Sequence, residues 1–182
     1  MGILFVRLRW IAIPAVLVAT AVAVSPAGAS GAHGVVTSAP GLARSVVAEL
    51  NRVRQEHGLR PLQPSPGLAA AARAHSREMV SSGRFEHESP DGTAFWKRIG
   101  RFYGAAGFRT WQVGENLIWS PGTLTAAAVV KGWLDSPPHR ANLLSTSFRR
   151  IGVGVVHEAP GTGAFAGAEA TIVTADFGYR IR

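Results

Sequence analysis

The chain has 182 residues, enough for one domain with a sizeable core, and it carries a formal net charge of +8 at pH 7 and no cysteine. The lack of cysteine excludes disulfide bonds and every mechanism that needs a thiol nucleophile. The basic charge comes almost entirely from arginines that are scattered along the chain. This scatter predicts a solvated surface and argues against a nucleic-acid partner, which would favour a concentrated basic stripe.

The first 29 residues have the pattern of a secretory signal peptide. Arg7 and Arg9 precede an apolar run, Trp10–Val24, and the small residues Ala27–Ala29 follow as a cleavage motif. Because the apolar run is shorter than the roughly 20 residues that span a bilayer, cleavage before Ser30 is favoured over a retained anchor. We therefore expect a secreted, extracellular or cell-envelope protein with no stable membrane anchor after cleavage.

Residues 30–41 are rich in Gly, Ala and Ser and predict a flexible lead-in, and residues 42–182 predict one folded domain. The domain begins with a helix, because apolar residues recur at helical spacing over 42–57 and Gly58 follows as a helix end.

Two more helices are predicted before the middle of the chain. Pro66 suits a first helical turn, and an alanine-rich segment then continues to residue 80. A shorter amphipathic helix is predicted over 93–103, with aromatic residues on one side and basic residues, Arg98 among them, on the other.

The second half of the chain contains strands. The predicted elements are a strand over 113–119, a helix over 123–134 that is stopped by Pro137 and Pro138, and strands over 151–157 and 169–178 joined by a loop at 159–167. Helices first and strands last, with short connections, predict an antiparallel sheet covered by helices.

Three separated residues, His87, Glu115 and His139, lie in short polar motifs. Two imidazoles and a carboxylate in one cavity can ligate a divalent ion or relay protons. Imidazole suits zinc, so His87 and His139, with Glu115 as a third ligand, are the candidate metal ligands, and zinc is the favoured ion. The alternative is a hydrogen-bonded cluster that only stabilises the fold, and both interpretations remain open.

Other polar residues have less specific patterns. His75 lies on one face of an alanine-rich helix, which predicts a core histidine rather than a ligand. Asn116 is expected to hold the segment after Gly114 through backbone hydrogen bonds rather than to catalyse a reaction. Neither Ser89 nor Ser136 lies in a strained nucleophile turn, so serine catalysis is not favoured.

Several motifs follow one another in a fixed order over most of the mature chain: Leu50–Arg54, Ala74–Met79, Phe85–Gly92, Gly114–Asn116, Trp133–Leu144, Ile151–Gly154 and Asp176–Gly178. In this order they resemble the CAP superfamily of cysteine-rich secretory proteins, antigen 5 and pathogenesis-related 1 proteins. The likeness is strongest to its bacterial branch of SCP-like extracellular proteins. The resemblance implies an α+β fold, a three-layer α-β-α sandwich with a central antiparallel sheet and a cleft.

The resemblance also implies a cavity lined by two histidines and two acids. By motif, His87 and His139 match the histidines and Glu115 matches one acid. The second acid is expected just after Trp133, where Asp135 is the only carboxylate and is shorter than the usual glutamate. Asn116 completes the set of candidate cavity residues.

The leading interpretation is a secreted, monomeric, non-enzymatic module that binds a lipid, a cell-envelope component or another small molecule, with a metal ion assisting if one is bound. The resemblance does not choose among these ligands. The alternative is a secreted metal-dependent hydrolase, protease-like, in which Glu115 or a histidine acts as base. A third interpretation is an envelope structural protein whose cleft is vestigial. No catalytic residue is assigned.

Overall fold

The computed structural model describes residues 36–158, 165 and 169–182, so the predicted signal peptide at 1–29 and most of the predicted loop at 159–167 lie outside the described residues. The elements of the described part follow in this order: β1 (Val36–Ser38), α1 (Pro40–Glu56), β2 (Gln63–Pro64), α2 (Pro66–Ser82), α3 (Phe95–Gly100), β3 (Thr110–Pro121), α4 (Ala126–Asp135), α5 (Pro137–Leu143), β4 (Arg150–Glu158) and β5 (Ala170–Ile181).

One mainly antiparallel sheet forms the middle of the fold, with strands in the order β1-β4-β5-β3. The register places Arg150 of β4 opposite Gly178 of β5, and Glu115 of β3 opposite Asp176 of β5. The two-residue strand β2 adds a short parallel pairing with β4. The structure thus confirms the predicted α+β class and its antiparallel sheet.

Alternate residues of β4 face two different helical layers. Ile151 and Val153 pack in a core with α1 and α4. Gly152 and Gly154 face α2, and a Cβ on Gly152 would lie 1.9 Å from the backbone nitrogen of Ala69. Since side chains alternate between the faces of a strand, the helices cover both faces of the sheet and form the expected three layers.

The two long helices agree with the sequence prediction, apart from their ends. Val46, Leu50 and Val53 form the buried stripe of α1. Ser65 caps α2 by accepting a hydrogen bond from the Leu68 amide at 3.5 Å, and α2 ends before Gly83, which has a φ of +69°.

Three elements differ from the prediction. Residues 36–38, expected in the flexible lead-in, form β1 and pair with β4. The third helix covers only Phe95–Gly100 rather than 93–103. Pro137 ends α4 as expected, but it also begins α5, because its fixed φ and missing N–H suit the first turn of a new helix.

Apolar burial holds this cysteine-free fold together. The core between α1, α4 and the sheet includes Trp133, Leu50 and Phe177, all fully buried. Each such side chain contributes about 1.5–3 kcal/mol through its removal from water. Within the described residues, no helix combines the length and the apolar character needed to cross a bilayer.

Candidate ligand-binding site

Glu115 lies in the middle of β3 with its side chain only 1% exposed. Its Oε1 accepts a hydrogen bond from Nδ1 of His87 at 2.8 Å, and its Oε2 accepts one from Nη2 of Arg98. Burial alone would raise the pKa of Glu115, but the His87 hydrogen bond and the charges of His75 and Arg98 hold it well below its usual range. Glu115 is therefore ionised, and both of its oxygens are engaged.

The position of β3 at the edge of the sheet explains why both helical layers contribute to the site. The Glu115 side chain points towards α2, where Nε2 of His75 lies 4.0 Å from its Oε1. The next side chain, Asn116, points towards α5 and donates from Nδ2 to the His139 carbonyl at 3.0 Å. Groups from the two layers meet around this edge strand.

His87 lies in the loop between α2 and α3, and its side chain is 28% exposed. Because Glu115 is ionised and can only accept, the proton of the hydrogen bond resides on Nδ1 of His87. Nε2 of His87 makes no hydrogen bond with the described residues. The Phe95 ring lies beside the imidazole, 6.2 Å between centroids at an angle of 59°.

Hydrogen bonds between two asparagines fix α5, and with it His139, on β3. Asn142 donates from Nδ2 to Oδ1 of Asn116 at 2.8 Å and to the Glu115 carbonyl at 3.2 Å. Gly114 leaves room for this contact, since a Cβ there would lie 3.1 Å from Oδ1 of Asn142. Asn116 is fully buried, and its side chain holds α5 in place rather than the segment at Gly114 and Glu115 that the sequence suggested.

His139 lies on α5 and is half-buried. Burial lowers the pKa of His139, and the neighbouring charge of His87 lowers it further. The ring is therefore neutral at pH 7, and its nitrogens make no hydrogen bond with the part of the chain that the structure describes. The structure thus pairs His87 with Glu115 and places His139 close enough for the charge of His87 to affect it.

Arg98 is buried at the site, whereas the sequence pattern predicted that it lies on the basic, solvent-facing side of its helix. Its side chain is 1% exposed. Besides its pairing with Glu115, Nη1 of Arg98 donates to the His87 carbonyl at 2.9 Å and to Oγ of Ser89 at 3.3 Å. Arg98 therefore fixes the backbone of His87 and the carboxylate that holds its ring.

His75 and Ser89 lie behind the site rather than on its surface. His75 is fully buried, as the sequence predicted, with Nε2 2.9 Å from the Glu86 carbonyl and Nδ1 3.3 Å from Oε2 of Glu78. Burial lowers the pKa of His75. Oγ of Ser89 donates to Oε2 of Glu78 at 2.9 Å, so Ser89 is not a free nucleophile.

Asp135, expected to supply the second acid of the cavity, lies on the surface of α4, and the buried acid opposite Glu115 is Asp176. Asp135 has a side chain that is 61% exposed and pairs with Lys131, one turn earlier on α4, at 2.5 Å. Asp176 is fully buried, and neither of its oxygens has a hydrogen-bond partner among the described residues. Burial and the charge of Glu115 raise the pKa of Asp176 well above its usual value, although Arg98 opposes the shift, so this carboxyl is protonated.

The site as placed does not fit a metal ion held by His87, Glu115 and His139 together. In the part of the chain that the structure describes, no three His, Asp or Glu side chains converge as a ligand set. A zinc ion would need an oxygen of Glu115, and both oxygens are already engaged by His87 and Arg98. The donors left for a ligand are ring nitrogens of the two imidazoles.

An antiparallel sheet between helical layers is the architecture that the sequence motifs implied. A family model for CAP, the cysteine-rich secretory protein family, matches residues 47–177. The chain belongs to this family.

Individual relatives agree with this assignment. The chain is 40% identical over 116 residues to YkwD, an uncharacterized protein of Bacillus subtilis, a match that covers 62% of this chain and 42% of the relative. A solved structure of an SCP-domain extracellular protein from Bacillus anthracis aligns with a TM-score of 0.58 at 28% identity, covering 76% of this chain and 40% of that one. This chain therefore spans less than half the length of these two relatives.

An outer surface protein of Borrelia burgdorferi shows the same fold over nearly its whole length. It aligns with a TM-score of 0.63 at 20% identity, covering 81% of this chain and 98% of that one. At this identity the likeness concerns the fold alone.

Proposed function

We propose that this chain is a binding module that acts outside the cell and takes a small ligand at His87 and His139. The observation that carries the proposal is the state of the two rings. Both are partly exposed, and the Nε2 of His87 and both ring nitrogens of His139 lack hydrogen-bond partners among the described residues. Both carboxylate oxygens of Glu115 already accept hydrogen bonds, one from His87 and one from Arg98, so the groups left to recognise a ligand are the imidazoles.

The protonation of the rings indicates the chemistry of the ligand. Neutral His139 has one donor and one acceptor nitrogen, and His87, with its Nδ1 proton committed to Glu115, offers Nε2 as an acceptor whenever its ring is neutral. The Phe95 ring adds an apolar surface beside His87. This combination favours a compact ligand with hydroxyl or amide groups on an apolar body, such as a sterol or a cell-wall glycopeptide.

The same contacts argue for binding rather than hydrolysis. Glu115 would be a poor general base, because its pKa is low and both oxygens are engaged. Ser89, the buried hydroxyl nearest in sequence to His87, donates to Glu78. With Glu115 engaged in this way, a hydrolase would have to use an imidazole as its base.

An extracellular location is part of this proposal. The N-terminal pattern of basic residues, an apolar run and a small-residue motif supports export. The Bacillus anthracis neighbour is described as an extracellular protein, which agrees with such a location.

Cosedimentation of the purified protein tests the proposal, with insoluble peptidoglycan and with phosphatidylcholine vesicles containing cholesterol as the two probes. We expect binding to one of them, reduced roughly tenfold by His139→Ala or His87→Ala through the loss of a hydrogen bond to the ligand. His57→Ala is the matched control, because His57 directly follows α1 and its ring makes one hydrogen bond within the described residues, with the Val53 carbonyl.

Two outcomes contradict the proposal: binding to neither probe, or binding that the site variants and His57→Ala change equally. Incubation with casein and with a lipid ester, with zinc supplied, tests the hydrolase alternative. Product release that His139→Ala abolishes would favour that alternative.

A further inference from the structure

A second groove, of about 470 Å³, lies at the end of the sheet where β4 begins and β5 ends. Because these strands are antiparallel, their basic ends come together there, and we call the result the arginine groove, defined by Arg149, Arg150, Arg180 and Arg182. No Asp or Glu of the described residues lines it. The groove shares no lining residue with the histidine site.

The positive charge of the arginine groove has no protein counter-ion within the described residues. The guanidiniums of Arg150 and Arg182 make no hydrogen bond or ion pair there. Arg180 donates from Nη1 to the Gly104 carbonyl at 3.2 Å, and Arg149 uses Nη1 for neighbouring loop carbonyls at 2.5–3.1 Å. Several N–H donors on four cations are thus left to face solvent. Such a cluster is electrostatically unfavourable until an anion joins it.

Aromatic rings lie beside three of these cations, and Arg182 is 5.9 Å from the centroid of Phe108. The guanidinium of Arg180 lies 4.1 Å from the centroid of Tyr103 and 4.3 Å from that of Phe108, and Arg149 lies 5.6 Å from the centroid of Tyr179. Stacking of this kind orients a planar guanidinium before a ligand arrives, so less entropy is lost on binding.

Tyr103 supplies a polar group at the floor of the groove. The residue as a whole is only 3% exposed, but its hydroxyl reaches solvent and makes no hydrogen bond with any residue that the structure describes. Burial raises the pKa of Tyr103, although the charges of Arg180 and Arg150 oppose the shift, so the hydroxyl stays protonated and can donate. Gly178 allows this position, since a Cβ there would lie 2.8 Å from Cε1 of Tyr103.

We propose that the arginine groove is a binding site for a phosphate group carried by a compact organic molecule or by a lipid headgroup. Guanidinium forks match phosphate oxygens in pairs, and four of them suit a ligand with more than one negative oxygen. Arg150 and Arg180 contact the phosphate from two sides, and the Tyr103 hydroxyl donates a further hydrogen bond. The volume of the groove falls in the range of small-ligand sites.

Two binding measurements on the purified protein test the site and separate the sources of the phosphate. Calorimetry with glycerol 3-phosphate detects a soluble ligand. Cosedimentation with phosphatidylglycerol vesicles, compared with phosphatidylcholine vesicles, detects a headgroup. We expect the double variant Arg150→Gln with Arg180→Gln to lower the affinity by roughly tenfold or more, since each arginine near an anionic surface contributes on the order of a fivefold change.

The double variant Arg44→Gln with Arg73→Gln is the charge-matched control. Both residues are exposed and line a different recess, between α1 and α2. Two single substitutions test whether a loss of binding could come from misfolding. Arg150→Gln alone breaks no hydrogen bond within the described residues. Tyr103→Phe removes only the hydroxyl. Each is expected to lower the affinity severalfold while the melting temperature stays the same.

Every result of these two binding experiments either supports or overturns the phosphate site. Binding of glycerol 3-phosphate identifies a soluble phosphate ligand, and binding of phosphatidylglycerol vesicles alone identifies a headgroup, provided that the groove variants weaken it by the expected factor. Binding in neither assay overturns the proposal. Equal losses in the groove variant and in the charge-matched control also overturn it, because they would show attraction to the net charge alone.

Discussion

Glu115 and Asp176 lie directly opposite each other on β3 and β5, both buried, with one carboxyl ionised and the other protonated. Arg98 and His87 neutralise Glu115, whereas Asp176 has no basic hydrogen-bond partner within the described residues and keeps its proton. This division avoids two like charges side by side in the core.

Asp176→Asn is expected to stabilise the protein at neutral and higher pH. The folded state raises the pKa of Asp176, so it holds a proton that the unfolded chain releases, and stability falls as the pH rises above the unfolded value. Asparagine resembles the protonated carboxyl and does not titrate. Melting temperatures measured from pH 4 to pH 8 should show a gain that grows with pH, and a gain of constant size would contradict the assigned proton.

Arg98→Met is expected to destabilise the protein by about 3–5 kcal/mol, because it leaves the buried Glu115 carboxylate with one partner fewer. Urea unfolding measures the change. Adding Glu115→Gln should restore part of the loss, since it removes the uncompensated charge. Arg52→Ala is the control, because its ion pairs with Glu49 and Glu56 lie on the surface of α1, and little change is expected there.

The pKa of His139 should depend on the nearby charge of His87. The ring of His139 is expected to titrate below the roughly 6.5 of an unperturbed imidazole. His87→Asn removes a neighbouring positive charge, so the pKa of His139 should rise. A proton NMR titration of the His139 ring measures the change. His57→Asn, on α1, should leave His139 unchanged, and the absence of any shift in the His87 variant would show that the rings are far apart.

Gly152→Ala is expected to destabilise the protein by about 3 kcal/mol or more, or to prevent folding. Its Cβ would overlap the backbone of Ala69, so α2 would have to move away from β4. Gly41→Ala, on α1, is the matched substitution, because no atom lies within 4 Å of its added Cβ. The control should keep its stability or gain up to about 1 kcal/mol. Similar losses in both would disprove the close approach.

The sequence predicted the elements whose own residues determine them. The apolar spacing of α1 and the alanine-rich body of α2 identified both helices, and the strand predicted over 151–157 lies within β4. Pro137 was harder to interpret, since proline both ends one helix and suits the start of the next.

The site was only partly predictable because burial of a polar residue is a tertiary property. His87, Glu115 and His139 stand in recognisable motifs, but helical spacing alone cannot show that Arg98 faces a buried carboxylate. Asp176 was missed although it lies in a motif, because only the register of β3 against β5 places it beside Glu115.

The hydrogen bonds of Asn116 with Asn142 and with the His139 carbonyl hold His139 in place without a disulfide bond. A side-chain amide neither oxidises nor needs an oxidant to form its bond, and the sequence contains no cysteine. The protein can therefore be made in a reducing cytosol and assayed in dithiothreitol with its recognition groups in the same arrangement.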